Sequence, residues 1–303
     1  MKQHYVPQFY LKNWAHQGNQ VYTYLISDGK TKLVRAPTSS TSFKKDLYKQ
    51  HNVKDEQWIE KEHFQRVDRD ASVVFKKISH NEGAFLTDLE KNHFSEFLAS
   101  LPYRNQDIIN NAHMELPGIS SEIHSELKKK TLPEMHAELD EKVEIYNKDL
   151  VTKTIVSTIS PIGSKLNPYG LKYFNDNMGA LLNSFWWIED FSSLCFTVIT
   201  SDNPIGVFMD PDLREFLKSP YASSRGIFSI VLSFGYLVSF PISPTRILFI
   251  HRNKVDLGDI FLDKHRKRLL KFHNKAMITR KVKFVYAIDD SQDKFIKKHF
   301  KAW

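Results

Sequence analysis

The chain has 303 residues, 41% hydrophobic and 26% charged, with a net charge of +8; that balance excludes a disordered chain and allows a sizeable buried core. A single cysteine, Cys195, excludes an internal disulfide framework and fits a cytoplasmic protein, and its apolar run SSLCFTVIT predicts a small buried side chain. From His251 to Trp303 there are 15 Lys and Arg against 6 Asp and Glu, so the whole basic excess lies near the C-terminal end, as a docking surface for nucleic acid or another polyanion or as a solubilising face.

The chain opens with HYVPQFYLKNW, in which Pro7 suits a first helical turn and Tyr10, Leu11 and Trp14 fall on one side. QVYTYLIS alternates as a strand, and Ser27-Asp28-Gly29-Lys30 is a turn before the strand TKLVRAP. A helix follows between Asp55 and Ile78, with Phe64, Val67, Ala71, Val74, Phe75 and Ile78 on its apolar stripe. A second opens at Thr87 or Asp88 and is expected to run past Pro102 to Glu115 with a kink. Residues 119–150 read as two polar helices.

The last third changes character. SLCFTVITSDNP, FSIVLSFGYLVSF and TRILFIHR read as strands, Asp263 to Met277 as a helix and KVKFVYAID as a strand. The uncharged stretch from Gly226 to Thr245 carries Ser229, Ser233, Ser239, Ser243 and two prolines, so it is read as buried strands and not as a membrane span. The expected fold is α+β, a mixed or antiparallel sheet formed by N- and C-terminal strands, in a single domain over 1–303 with a mainly helical insertion over 55–190.

Several polar residues stand where apolar ones are expected. Arg104 follows Phe97 by seven and Leu101 by three, which, with the helix continuing through Pro102, places it on an apolar face as either a buried ion pair or an anion clamp. Asp68, at the edge of the preceding helix's stripe, is a candidate partner for it. Thr200-Ser201-Asp202-Asn203-Pro204 ends a strand-like run, where Asp202 is a general base, a metal ligand or ordinary turn chemistry, with Ser201 and Asn203 supporting it. Asn274 approaches the buried face of the last long helix, where it must be hydrogen-bonded. His4 is a general acid, a general base or an anion donor, or is held by a carbonyl. The chain has no Gly-rich phosphate loop, GxSxG, HExxH or CxxC, and none of its 13 histidines has metal spacing; no metal or cofactor is expected.

HYVPQFYLKNW, the helix ending near Arg104, TSDNP, FPISPTR and the late HNKAM…FVYA together resemble a bacterial and fungal family of unknown function, DUF4238. The resemblance spans essentially the whole chain. The family's opening His-Tyr-Val-Pro-x-Phe-Tyr-Leu matches His4 to Leu11 at every fixed position, and its Ser-Asp-Asn-Pro matches Ser201 to Pro204. Its Pro-x-Ser-Pro turn matches Pro241, Ser243 and Pro244, its arginine Arg104 and its late asparagine Asn274. Where the family tends to show a glutamate in the first long helix, this chain offers Asp68. The resemblance implies a shared polar site drawn from distant segments.

On these residues the expected function is an intracellular hydrolase directed at phosphodiesters, a metal-independent nuclease. His4, Arg104 and Asp202 would be catalytic, with Gln8, Tyr10, Asp68, Ser201, Asn203 and Asn274 supporting. The alternative is a non-catalytic module that binds nucleic acid or protein and whose polar motifs are structural.

Overall fold

The computed structural model describes residues 2–47, 59–80, 85–104, 176–208, 227–233, 235–254 and 263–300. The first strand, β1 (Lys2–His4), pairs antiparallel with β4 (Phe43–Lys45) in a two-stranded ribbon, with His4 opposite Phe43 and Lys2 opposite Lys45. Between them lie the single turn α1 (Gln8–Leu11) and the hairpin of β2 (Gln20–Ser27) and β3 (Lys30–Pro37). Asp28 and Gly29 both take positive φ, 54° and 70°, the backbone that joins two strands through a two-residue loop without splaying them.

Pairs of distant strands complete the sheets. The order β3–β2–β10–β6 joins the N-terminal hairpin to β10 (Val285–Ala287) and β6 (Thr200–Ser201). A second sheet, β5–β9–β8–β7, is built from β5 (Phe185–Asp190), β7 (Gly206–Phe208), β8 (Leu237–Ser243) and β9 (Arg246–His251). All these pairings are antiparallel, and the fold is α+β.

Helix α2 (Gln65–His80) follows a wider π-turn over Ile59–Phe64, and α3 (Asp88–Ser100) begins at a reciprocal cap. Thr87 Oγ1 accepts from the Glu90 N–H, and the Thr87 N–H donates to Glu90 Oε2 at 2.8 Å, so two otherwise unpaired backbone donors are satisfied at once. Arg66 pairs with Glu96 and Lys77 with Glu90, a register that makes α2 and α3 antiparallel. The helix does not run on through Pro102; it ends at Ser100 and tightens into a 3₁₀ turn over Leu101–Arg104. The expected continuation to Glu115, the polar helices at 119–150 and most of the 55–190 insertion lie outside the described residues.

The core is a cluster of aromatic rings with Phe240 of β8 near its centre. Tyr10, Phe94 and Phe97 approach it with centroids at 5.1, 5.9 and 6.1 Å, and Phe9 of α1 lies against Phe75 and Phe97. Trp14 is fully buried and its indole N–H donates to the Val198 carbonyl at 3.1 Å. The rings of HYVPQFYLKNW therefore wedge the start of the chain between α2, α3 and the second sheet, and His4 is carried in with them. Burying three such rings contributes several kcal/mol, roughly 2 kcal/mol or more apiece.

Three local expectations are corrected by long-range bonds. Residues 227–233 form a short helix, α4 (Ile227–Ser233), and not a strand, because Asn177 Oδ1 accepts the Phe228 and Ser229 N–H groups at 2.9 and 3.1 Å and so caps it. Most of SLCFTVIT is irregular: its backbone bonds to Pro244 and to side chains of α5 (Asp263–Arg280), and only Thr200–Ser201 pairs as a strand. Cys195 is exposed in that irregular stretch, not buried.

Helix α5 crosses between the two sheets. On its buried side His273 Nδ1 lies 2.9 Å from the Ser239 hydroxyl of β8 and Nε2 lies 3.3 Å from the Ile199 carbonyl. Burial holds this imidazole down at about 3, so it is neutral, donating from one nitrogen and accepting at the other. Gly206 of β7 makes room there, since a Cβ on it would stand 2.3 Å from Ser239 Oγ. The last element, α6 (Asp293–His299), packs on α5.

Candidate functional site

His4 ends β1 with its ring 5.7 Å from Phe43. It is half-buried and hydrogen-bonds the Ser39 backbone in the sense that favours the protonated ring, while its Nε2 is buried without a hydrogen-bond partner. Among the described residues Nε2 is thus a buried ring nitrogen with no hydrogen-bond partner. Burial lowers the pKa of His4 from its ordinary value, opposed by the Ser39 bond, and the charge of Lys2 lowers it further while that of Asp68 raises it.

Asp68, in the first turn of α2, is the residue that joins this imidazole to the second helix. Its Oδ1 lies 2.7 Å from Arg104 Nη2. The Arg104 side chain is 1% exposed and that of Asp68 27%, so the cation of the pair is sealed in while the carboxylate keeps an open edge. The Arg104 guanidinium lies over the Phe64 ring at 4.3 Å and its Nε donates to Ser100 Oγ at 3.2 Å. These contacts satisfy a charge that would otherwise be costly to bury. Burial raises the pKa of Asp68, with Arg104 and then His4 pulling it back down.

Glu60, in the π-turn that leads into α2, completes the cluster. Burial pushes its carboxyl up to about 7, the Arg104 charge lowers it, and the neighbouring Asp68 carboxylate raises it. Sequence reading passed over this residue because WIEKEHF looks like a polar helix start. The available signal was its spacing: Glu60, Phe64 and Asp68 recur at four-residue steps, which keeps them on one side of a helical segment. The cluster thus holds a neutral imidazole, a carboxyl that changes charge near neutral pH, and an ion pair fixing a second carboxylate.

The other polar motifs form a second network. Asp202 is 5% exposed, and its Oδ1 accepts the Val282 N–H at 2.8 Å while Oδ2 accepts those of Lys283 and Phe284 at 2.7 and 3.0 Å. Burial pushes its pKa up to about 6 against the pull of these three donors. Asn203 Nδ2 donates to the Arg280 carbonyl at 3.0 Å, and Ser201 Oγ bonds both the carbonyl and the N–H of Asn203. Ser-Asp-Asn therefore clasps the end of α5 and the turn that feeds β10.

Asn274 accepts the Ile199 N–H and donates to the Thr197 carbonyl and Gln292, tying α5 to the irregular stretch before β6. Tyr10 is fully buried with its hydroxyl 2.6 Å from Thr200 Oγ1, and Gln8 is half-buried on α1. The structure brings His4, Asp68 and Arg104 together; among the described residues none of Asp202's hydrogen bonds or ion pairs is with them.

The two networks use residues from both ends of the chain, and one family model spans that whole length, from residue 2 to residue 291, under the description protein of unknown function. The chain belongs to the DUF4238 family. No curated protein and no solved structure matches it. Among the described residues of this DUF4238 chain, no helix is long and apolar enough to cross a membrane, and no group of three or more His, Cys, Asp or Glu is arranged to hold a metal ion.

Proposed function

We propose that this chain is a phosphodiester-directed hydrolase, a metal-independent nuclease whose proton transfers run through His4 and Glu60. The observation that carries the reading is the buried, unpartnered Nε2 of His4 beside a carboxylate held by a buried arginine. A bare imidazole nitrogen can take the proton of an attacking hydroxyl or water, and a carboxyl with a pKa of about 7 can return one to the leaving oxygen. Asp68 stabilises the imidazolium formed in between, and Arg104 is a positioning residue that orients Asp68.

Arg104 is engaged by Asp68, Ser100 and the Phe64 ring, so the phosphate is assigned to another cation. Lys2 is exposed on the same strand as His4, and its charge acts on the imidazole; it is the cation to which we assign the phosphate. Asp202 takes no proton in this scheme. The test is cleavage of labelled RNA and DNA in the presence of a chelator. Wild type should cleave, and His4→Ala should lose about a hundredfold or more with its melting temperature kept. Equal cleavage by the two proteins would refute the assignment.

A second reading is favoured by one specific observation: the three backbone bonds to Asp202 and the three made by Asn274 are those of a scaffold. In that reading the polar motifs hold the N-terminal segment on the sheets and the chain binds without turnover. It predicts that no His4 or Glu60 variant changes any product, because none forms.

A further inference from the structure

Helix α5 shows two sides of opposite chemistry. Leu270, His273, Asn274 and Met277 are buried, whereas Lys267, Arg268, Lys271, Phe272 and Lys275 are exposed. At 3.6 residues per turn these five exposed positions cover an arc of about 140° and a length of about 12 Å. None of the four cations makes an ion pair among the described residues, in contrast to Arg266 of the same helix, which pairs with Glu189 at 2.8 Å. Four positive charges on one exposed face, none of them paired among the described residues, are a binding surface for a polyanion.

Two exposed aromatic rings stand among these charges. Phe272 is 49% exposed with the Arg268 guanidinium 5.6 Å from its centroid, and Phe196, from the irregular stretch before β6, is 37% exposed with Lys271 Nζ at 5.4 Å. Leaving large rings in water wastes the burial they could contribute. A base stacked on such a ring while its phosphate meets the adjacent cation uses both features at once, and this is how proteins hold single strands without sequence preference. A duplex hides the faces of its bases, and an acidic peptide offers no ring to stack.

We propose that the exposed face of α5, with Phe196, is a docking surface for single-stranded nucleic acid. The proposal does not depend on the acid–base cluster at His4, and it stands or falls by binding alone. Phe272 and Phe196 are the stacking platforms, and Lys267, Arg268, Lys271 and Lys275 contact the backbone. Affinity is therefore expected to be micromolar and steeply salt-dependent, with a log–log slope of about −3 for four phosphate contacts on a single strand.

The experiment is fluorescence anisotropy of the full chain with a labelled oligothymidylate of about 15 nucleotides, over a salt series. The paired variant Arg268→Gln/Lys271→Gln should weaken binding and flatten the slope by about 1.4, whereas Phe196→Ala/Phe272→Ala should weaken it about tenfold or more at unchanged slope. All these side chains are exposed, so melting temperatures should hold; Lys267→Glu/Lys275→Glu provides an independent check by charge reversal. Binding by this face with no cleavage would keep this proposal and remove the proposed hydrolase, and cleavage that survives the α5 variants without tight binding would do the reverse, which separates the two.

No saturable binding would overturn the proposal. Equal affinity for duplex DNA or polyglutamate would overturn it in favour of a general polyanion surface. Phenylalanine variants that bind like wild type would overturn the stacking role and with it the preference for single strands.

Discussion

Replacing Arg104 by alanine tests the central pair of the cluster. The side chain is 1% exposed, lies 2.7 Å from Asp68 and stacks on Phe64 at 4.3 Å. Removing one partner of a buried ion pair costs roughly 3–5 kcal/mol, and the open edge of Asp68 moves the value to the lower part of that range. The lost stacking on Phe64 adds about 1 kcal/mol, so the expected loss is about 4 kcal/mol. For a chain of this size that lowers the melting temperature by roughly 6 °C.

The loss should also depend on pH. Burial already raises the pKa of Asp68, and Arg104 pulls it back; without the arginine it rises further. A carboxyl whose folded pKa exceeds its unfolded one destabilises the fold in its charged form. The deficit of Arg104→Ala should therefore be full at neutral pH and shrink as pH falls through the folded pKa of Asp68 towards its unfolded value. Asp68→Asn placed in an Arg104→Met background should recover stability for the same reason. The assay is thermal unfolding followed by circular dichroism between acid and neutral pH. A shift under about 2 °C, or a deficit that grows in acid, would refute the reasoning that Arg104 is chiefly the counter-ion of Asp68.

Three further outcomes follow from other parts of the molecule. Glu60→Gln should raise the melting temperature above pH 7, where the wild-type carboxyl is charged against its burial, and should leave it unchanged below about pH 4, where both forms are neutral; in the proposed enzyme the same variant loses activity, and a stabilised, fully active protein would remove Glu60 from the chemistry. Asp202→Ala leaves the N–H groups of Val282, Lys283 and Phe284 without their acceptor, at a cost of roughly 3 kcal/mol or more, read by chemical denaturation; a change under about 1 kcal/mol would show that water replaces the carboxylate. Gly206→Ala forces a methyl to within 2.3 Å of Ser239 Oγ, breaks the Ser239–His273 contact and should cost about 1–3 kcal/mol; a neutral effect in the same assay would mean that β7 shifts freely.

Short-range patterns in the chain determined what short-range physics controls. The Asp28-Gly29 turn, the Thr87 cap, the apolar stripe of α2 and the aromatic wedge of HYVPQFYLKNW are each set by residues within a few positions of one another, and they formed as their spacing required. Helical spacing would put Arg104 on an apolar face only if the helix ran through Pro102; it ends at Ser100, and Arg104 reaches Asp68 from a 3₁₀ turn instead. What spacing could not give is which distant atom satisfies a buried polar group. That depends on approach across the fold: Asn177 turning residues 227–233 into a helix, α5 drawing Thr197 to Ile199 out of a strand, and Val282 to Phe284 enclosing Asp202. Tertiary packing likewise decided that Glu60 meets the charges of Asp68 and Arg104, because the pKa of a carboxyl is set by its burial and by neighbouring charges, whatever their separation along the chain.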